Sequence, residues 1–489
     1  MFEQLQHILQ SSGFLLPDEI FAGFLILLVT YITFSKKLDE AKSQKIFNLF
    51  LVGILLSFCF VFYAAKLYFD THHKDGISLF SQLVYLDDWA YFFKILILLA
   101  AIFVLIHIIA MGHQLESEFY VFFLAIILGL LLLTMTTNLL MLYLSLEFVS
   151  ISSYILVAYN RQKHNMEAGI KYLLFGAISS AIMLYGMSWL YGLTGTLDFT
   201  SKVFVDNLAA NPNWVVILVS LMTIGGILFK LSSAPFHVWT PDVYEATPTP
   251  IVAFLSIAPK AAALLAFIRF LSTMGAELQL GLGIIIIISI TIGNFSALWQ
   301  TNVKRMLGYS TIAHSGFMLV GILAMSQVGI QTSVFYVATY MFITLAAFLL
   351  IDIIAEKTGN YELESYVGIG QNNIFLGIAS VVIMIALVGL PPTIGFSAKL
   401  LVFSALWDTY QQTNNKILLL VLIIGLLNTA VSIFYYLKIP YFMIIKTNDN
   451  STRNLQTTYF QNAVLVFFVL VILYLFFAPN DLLQLIEGI

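Results

Sequence analysis

Apolar runs of about twenty residues follow one another from one end of the chain to the other, each closed by a short cluster of polar, charged, glycine or proline positions. Twenty residues of α-helix rise about 30 Å, the thickness of a bilayer's hydrocarbon core. On that measure the pattern predicts helices near 19–35, 46–66, 89–111, 118–136, 138–159, 168–192 and 213–235. It continues near 250–270, 280–300, 304–325, 330–354, 374–408, 417–438 and 461–484. The expectation is an all-α polytopic membrane protein of about 14 transmembrane helices, the region 374–408 being interrupted by Pro391 and Pro392. No polar stretch between the runs is long enough to fold in water, so residues 1–489 read as a single integral membrane domain.

Alternate loops should collect Lys and Arg on the cytoplasmic side. The loop after the first span holds Lys36, Lys37, Lys42 and Lys45; later alternate loops hold Arg161 and Lys163, Lys304 and Arg305, Lys357, then Lys446 and Arg453. The opposite loops carry scattered cations such as Lys74, Lys202 and Lys416. This predicts cytoplasmic faces for the first set and both termini outside.

Composition sharpens the picture: 60% of the residues are hydrophobic and 10% charged, against about a quarter charged in soluble domains. The net charge of −4 and the dispersed basic residues leave no stripe for a phosphate backbone, so nucleic acid is not an expected partner. Cys59, the single cysteine, excludes an internal disulfide and a cysteine-ligated cluster or zinc site, and it reads as core. No basic segment followed by a short apolar run and a cleavage site marks a signal peptide, so the first span is expected to direct insertion.

The most informative positions are ionisable residues far from any loop, since a charge at bilayer depth costs about 2.5–3.5 kcal/mol even on the lenient insertion scale. Glu147, Lys230, Lys260 and Lys399 stand inside the fifth, seventh, eighth and twelfth spans, and His314 inside the tenth. Lys230 directly precedes Leu231-Ser232-Ser233-Ala234-Pro235, and Lys399 follows Gly389-Leu390-Pro391-Pro392-Thr393-Ile394-Gly395. Proline lacks a backbone donor and disfavours helix at the residue before it, so both segments predict broken helices. Freed backbone groups survive at that depth only inside protein or against water, and paired interrupted helices mark ion paths in transport folds.

Burial disfavours an ammonium and a nearby carboxylate favours it, so a lysine whose carboxylate neighbour changes influence can load and release a proton. Glu147 with Lys230 is the candidate pair; the competing reading is a static ion pair that pins two helices. Lys260 and Lys399 have no acidic residue at similar depth in their own spans, which favours titration. His314 fits either a hydrogen-bonded core histidine or a relay. His237 and Asp242, with Trp239 and Glu245 beyond the first break, suit either loop packing or proton uptake. Lys171 reads as a snorkelling anchor, and His107 stands alone in the third span without a role.

The segment FKLSSAPFHVWTPDVYEATPTPIVAFLSIAPKAA, residues 229–262, closely resembles the signature of the antiporter-like subunits of respiratory complex I and of multisubunit sodium/proton antiporters. LYLSLEFVSISSYILVAY, EAGIKYLLFGAISSAIMLYG, GNFSALWQTNVKRMLGYSTIAHSGFML and GLPPTIGFSAKLLVF are similar to other spans of that family. The resemblance implies two inverted five-helix repeats, spans 4–8 and 9–13, each with one broken helix. These follow an N-terminal three-helix segment, 1–117, as repeats over 118–270 and 280–438, with the last loop and helix over 439–489. It further implies Glu147 and Lys230 as a coupled pair, Lys260 as the connecting lysine, Lys399 as the terminal lysine, and His314 on the hydrophilic axis between the last two.

One of the family's three large complex I subunits usually has glutamate at the position of Lys399, and another carries a long C-terminal lateral helix. The third is therefore implied, in its bacterial form, since the mitochondrial counterpart is often shorter at its N-terminus. Ala246-Thr247 departs from the family's usual Gly-Ala.

The function so implied is proton translocation as part of an NADH-quinone oxidoreductase in the bacterial cell inner membrane. FMN, iron–sulfur clusters, NADH and quinone would be handled by other subunits, and the partners would be the other antiporter-like and small membrane subunits. A subunit of a cation/proton antiporter without redox partners is the alternative. A haem-bearing membrane cytochrome is weakly supported, because the eight histidines include no two paired on facing mid-span positions. Neither GxGxxG, GxxxxGK[ST] nor a nucleophile with its base is present, so no catalytic site of its own is expected.

Overall fold

The computed structural model describes residues 11–35, 40–70, 76–80, 82–113, 115–446 and 457–489. Lys36, Lys37, Lys74 and Arg453, used above for orientation, lie outside the described residues. In chain order the main elements begin with α1 (Leu16–Phe34), α2 (Glu40–Asp70), the strands β1 (Ile77–Leu79) and β2 (Val84–Leu86), and α3 (Asp88–Met111). Next come α4 (Ser117–Leu133), α5 (Leu139–Ala158), α6 (Lys163–Thr194), α7 (Lys202–Ala209), α8 (Asn213–Thr223) and α9 (Gly225–Leu231). The chain continues as α10 (Trp239–Ala246), α11 (Thr249–Leu255), α12 (Ala258–Leu271), α13 (Gln279–Leu298), α14 (Val303–Leu323) and α15 (Gln327–Thr358). It closes with α16 (Ile374–Val388), α17 (Ile394–Thr413), α18 (Lys416–Tyr436), α19 (Tyr459–Phe477) and α20 (Pro479–Glu487).

Among the described residues, 11 helices are long and apolar enough to cross a membrane, or 12 if the pair α8–α9, bent by 41°, is one span. This is fewer than the expected count. The difference lies in α4, only 17 residues long, and in the region 374–408, which splits into the 15 residues of α16 and the separate α17.

The chain divides into two units. The first takes in the described residues up to Leu105, His113–Lys230 and Ala258–Glu277; the second takes in Ile106–Gly112, Leu231–Ile257 and Leu278–Ile489. Lipid tails are as apolar as leucine, so helices in a bilayer associate through close packing rather than through escape from water. Within the first unit, a Cβ on Gly186 of α6 would approach the backbone nitrogen of Thr223 on α8 to 2.6 Å. Within the second, a Cβ on Gly293 of α13 would come within 2.5 Å of the backbone nitrogen of Ala313 on α14. The outer faces stay apolar, with Ile170, Leu174 and Ile178 of α6 and Ile423, Leu426 and Leu427 of α18 exposed. Cys59 is exposed on α2 rather than in the core; the apolar run that holds it is apolar on every face and gave no sign of which face turns inward.

One arrangement occurs in each unit, 164 residues apart. Asn138 caps the N-terminus of α5, accepting from the amide of Leu140, and forms a β-bridge with Asp198. Asn302 likewise caps α14, accepting from the amide of Arg305, and bridges to Glu362. Between cap and bridge stand α6 and α15, each 32 residues long and each ended by a left-handed glycine, Gly195 and Gly359. Glycine suits that ending because it has no Cβ to clash.

Candidate functional site

The first unit places Lys230 at the end of α9, where Ser232 takes a left-handed φ of 59° and Pro235 can donate no hydrogen bond. The side chain points into protein and is 3% exposed. Its Nζ donates to Ser153 Oγ at 3.4 Å and to the Tyr172 hydroxyl at 3.5 Å, and lies 5.5 Å from the Tyr172 ring centre. Glu147 stands on α5 as expected, yet its carboxylate accepts from Ser180 and no ion pair joins it to Lys230 among the described residues. The static ion pair weighed from the sequence is thus absent from this arrangement.

Lys260 is fully buried near the start of α12. A discontinuity beyond the two expected breaks precedes it, since α11 ends at Leu255 and α12 begins at Ala258. Pro259 explains it: without an amide hydrogen it cannot bond back to Leu255.

In the second unit the helix stops at Gly389, with φ of 86°, and resumes at Ile394. The two halves touch closely, since a Cβ on Gly395 would meet the carbonyl oxygen of Ala386 at 1.9 Å. Lys399 reaches back across the break and donates to the freed carbonyl of Val388 at 2.6 Å, its Nζ standing 4.5 Å from the ring centre of Phe317. A cavity of about 10 Å³ is lined by Lys399 and His314 together with Tyr336, Tyr340, Gly395 and Ala398, enough for roughly one water. His314 Nδ1 pairs with the Tyr336 hydroxyl at 2.7 Å and Nε2 with the Tyr436 hydroxyl at 2.9 Å, while the ring stacks on Tyr340 at 4.5 Å.

The 164-residue register carries through to these surroundings. Tyr172, beside Lys230, corresponds to Tyr336; Ser153 corresponds to Phe317, under Lys399; Glu147 corresponds to Thr311, which bonds to Tyr340 at 3.1 Å. The second unit therefore has no carboxylate at that position, and His314 stands one turn further along α14.

His237 and Asp242 occupy the segment beyond the first break. Burial holds His237 below the ordinary imidazole range, against the opposing pull of the Pro235 backbone. Asp242 and Glu245 both accept from Arg305 Nη1 at 2.7 Å, which ties α10 to the start of α14.

The model of the NADH:quinone oxidoreductase/Mrp antiporter transmembrane family matches residues 136–427, more than half of the chain. This chain belongs to that family. "NADH-quinone oxidoreductase subunit N 2" of Chloroherpeton thalassium is 34% identical over 98% of this chain and 95% of its own length. A chain of respiratory complex I from Thermus thermophilus is similar with a TM-score of 0.79 and 29% identity, covering 96% of this chain and 98% of that one. A chain of the Mrp complex from Dietzia sp. has a TM-score of 0.80 at 17% identity, covering 96% of each, a likeness of fold alone.

This family member also holds buried and part-buried ionic contacts between residues far apart in the sequence. Lys94 Nζ pairs with Asp18 at 2.6 Å, and Arg269 with Asp87 at 2.5 Å. His107 is not alone: its Nε2 lies 2.8 Å from Asp352 Oδ2. Lys304, counted above as a loop cation, is 3% exposed and donates to the Thr247 carbonyl. The isolated lysine in the run FFKILIL and the aspartate in LLIDII were the available signals, but partners 76 and 245 residues away were not. Among the described residues no three His, Cys, Asp or Glu side chains are grouped to hold a metal ion.

Proposed function

We propose that this chain is the proton-translocating, antiporter-like subunit of a bacterial NADH-quinone oxidoreductase, of the subunit N type. The observation that carries the reading is that each unit sets a buried lysine, Lys230 in the first and Lys399 in the second, beside a proline-broken helix. The shared register of caps, 32-residue helices and tyrosines supports two repeats of one half-channel.

Glu147, Lys230, Lys260, His314 and Lys399 are the proton carriers, and His237 with Asp242 is a point of uptake. Moving one charge against about 100 mV costs about 2.3 kcal/mol, which corresponds to a change in proton affinity of roughly fifty-fold. Redox-driven change in partner subunits supplies that change as altered electrostatics at the lysines. FMN, iron–sulfur clusters, NADH and quinone belong to those partners, so the translocase activity belongs to the assembled complex. The chain crosses the cell inner membrane many times with both termini in the periplasm and packs through its apolar outer faces against the other antiporter-like and small membrane subunits.

The test is Lys399→Ala in intact membranes, with NADH-driven proton uptake and NADH–quinone electron transfer measured together and assembly checked. Loss of uptake in an assembled complex is expected; unchanged pumping and turnover would overturn the assignment. The family matched over residues 136–427 includes Mrp antiporters, which keeps a redox-free antiporter subunit as the second reading. Purification with flavin and iron–sulfur subunits decides between them.

A further inference from the structure

The second unit contains a continuous chain of proton-carrying groups apart from its lysine. Tyr361, half-buried in the loop after Gly359 and next to the exposed Asn360, donates its hydroxyl to Asp352 Oδ1 at 3.0 Å. The other oxygen of Asp352 meets His107 Nε2 at 2.8 Å, and the Tyr361 hydroxyl also lies 2.8 Å from Thr249 Oγ1. Asp352 and His107 are each 3% exposed, and His107 Nδ1 is buried with no hydrogen-bond partner among the described residues. Lys304 lies with its Nζ 4.6 Å from the Tyr361 ring centre, and Glu356, one turn beyond Asp352, accepts from Gln461 at 3.2 Å. The loop is held in place, since Val303 donates to the Tyr361 carbonyl at 2.9 Å and Leu363 to the Thr301 carbonyl at 3.0 Å.

The fold itself does not demand this cluster. At the corresponding positions 164 residues earlier the first unit has Ser188 for Asp352, Leu197 for Tyr361 and Leu140 for Lys304, and it builds the same helices, cap, glycine ending and bridge. A clamp between helices would be met by any donor and acceptor. This chain uses a phenol, a carboxylate and an imidazole, each able to receive a proton on one side and release one on another.

We propose that Tyr361, Asp352 and His107 form a proton-loading relay that draws protons from the water at loop 359–362. Tyr361 gives its hydroxyl proton to Asp352 Oδ1 while taking one from water on the same oxygen. At rest Asp352 Oδ2 and His107 Nε2 share one proton, the imidazole carrying its other proton on Nδ1; as Oδ1 takes the proton from Tyr361, the shared proton settles on Nε2, leaving Asp352 a neutral acid and His107 an imidazolium. The imidazolium is the loaded state, and it discharges by the same steps in reverse. Only O–H and N–H bonds are exchanged, and one proton moves. Burial first, and the Asp352 carboxylate beside it, hold the Tyr361 phenol above its ordinary range, so it starts each cycle as a donor. The proposal rests on the reading of the chain as a proton translocator.

The experiment compares Asp352→Asn, Asp352→Glu, Tyr361→Phe, His107→Ala and, as control, Lys230→Ala in the assembled complex in membrane vesicles. Asp352→Asn and Tyr361→Phe are expected to slow NADH-driven proton uptake at least about tenfold, with Asp352→Glu retaining most of it. External imidazole is expected to restore part of the uptake lost in His107→Ala. Wild-type uptake in Asp352→Asn or Tyr361→Phe, with Lys230→Ala defective, overturns the relay and leaves the lysine path standing. Equal loss in Asp352→Asn and Asp352→Glu without imidazole rescue overturns it in favour of packing. Wild-type uptake in Lys230→Ala removes the underlying reading and the relay with it. Should Asp352→Asn fail to assemble, Tyr361→Phe, which deletes one oxygen, carries the test.

Discussion

Lys230→Met separates the two readings of the buried lysine, because it removes the ammonium while keeping an unbranched chain. The ammonium has two hydrogen bonds at 3.4 and 3.5 Å, long enough that each is worth well under the about 1 kcal/mol of a good one. Three aromatic rings lie 5.5–5.8 Å away, adding about 2 kcal/mol at a desolvated site. Against this stands a desolvation penalty of several kcal/mol for a buried ion. The interactions do not repay the burial, so methionine is expected to hold the fold as well as lysine or better, by about 1–4 kcal/mol.

Proton translocation is expected to fall by at least about a hundredfold in the same variant, since methionine carries no proton. The assay is thermal unfolding of the solubilised complex beside NADH-driven proton uptake in vesicles. An unchanged or raised melting temperature with uptake lost fits a carrier. A clear fall in melting temperature refutes the reasoning and makes Lys230 a structural charge, and wild-type uptake refutes it from the other side.

His314→Phe keeps the stack on Tyr340 but removes the partner of the Tyr336 hydroxyl and one of the two partners of Tyr436, which still meets Ser310; coupled proton uptake is expected to drop while assembly persists, as read from membrane pumping and native gels. Gly395→Ala places a Cβ 1.9 Å from the Ala386 carbonyl and is expected to lower stability by about 1–3 kcal/mol, visible as reduced complex yield and an earlier thermal transition. For His237 the folded group binds its proton less readily than the unfolded one, whose pKa is about 6.5. Stability should therefore fall as pH drops below about 6.5, and His237→Gln should flatten that slope in melting curves taken across pH. In a Cys59→Ser background, single cysteines at Lys163 and Lys357 should react with impermeant thiol reagents only from the cytoplasmic side; labelling from the periplasm would reverse the proposed orientation.

Much of the helical layout was legible because lipid imposes a one-dimensional rule on length and hydrophobicity, and the breaks at 232–238 and 389–393 follow directly from proline and glycine chemistry. What a side chain faces was not. Glu147 and Lys230 lie at one depth, but depth says nothing of azimuth: no direct ion pair joins them among the described residues, Glu147 accepting from Ser180 while Lys230 donates to Ser153 and Tyr172. Helices that are apolar all round carry no amphipathic stripe to show their inner face, which is why Cys59 was misplaced and His107 read as solitary. Lys304 sits at a helix start and so resembled a loop cation, although its stem lies in protein.

The register between the units changes what the second half-channel must be. If the halves worked by one chemistry, the Glu147 position would hold an acid in both; instead Thr311 stands there, and its hydroxyl is engaged with Tyr340. A threonine cannot alternate in charge near neutral pH, so in that half the titratable group that shares a small cavity with Lys399 is His314. The first half thus sets a carboxylate within electrostatic reach of its lysine without a direct ion pair, and the second sets an imidazole in its lysine's cavity. A proton on His314 repels a proton on Lys399, whereas a charge on Glu147 attracts one to Lys230. The same electrostatic input should therefore load one lysine as it unloads the other. Glu147→Gln tests this by its direction: it should weaken proton binding at Lys230, while His314→Phe should strengthen it at Lys399. Shifts of the same sign in the two lysines, followed by NMR of labelled side chains in the complex, would exclude opposed loading.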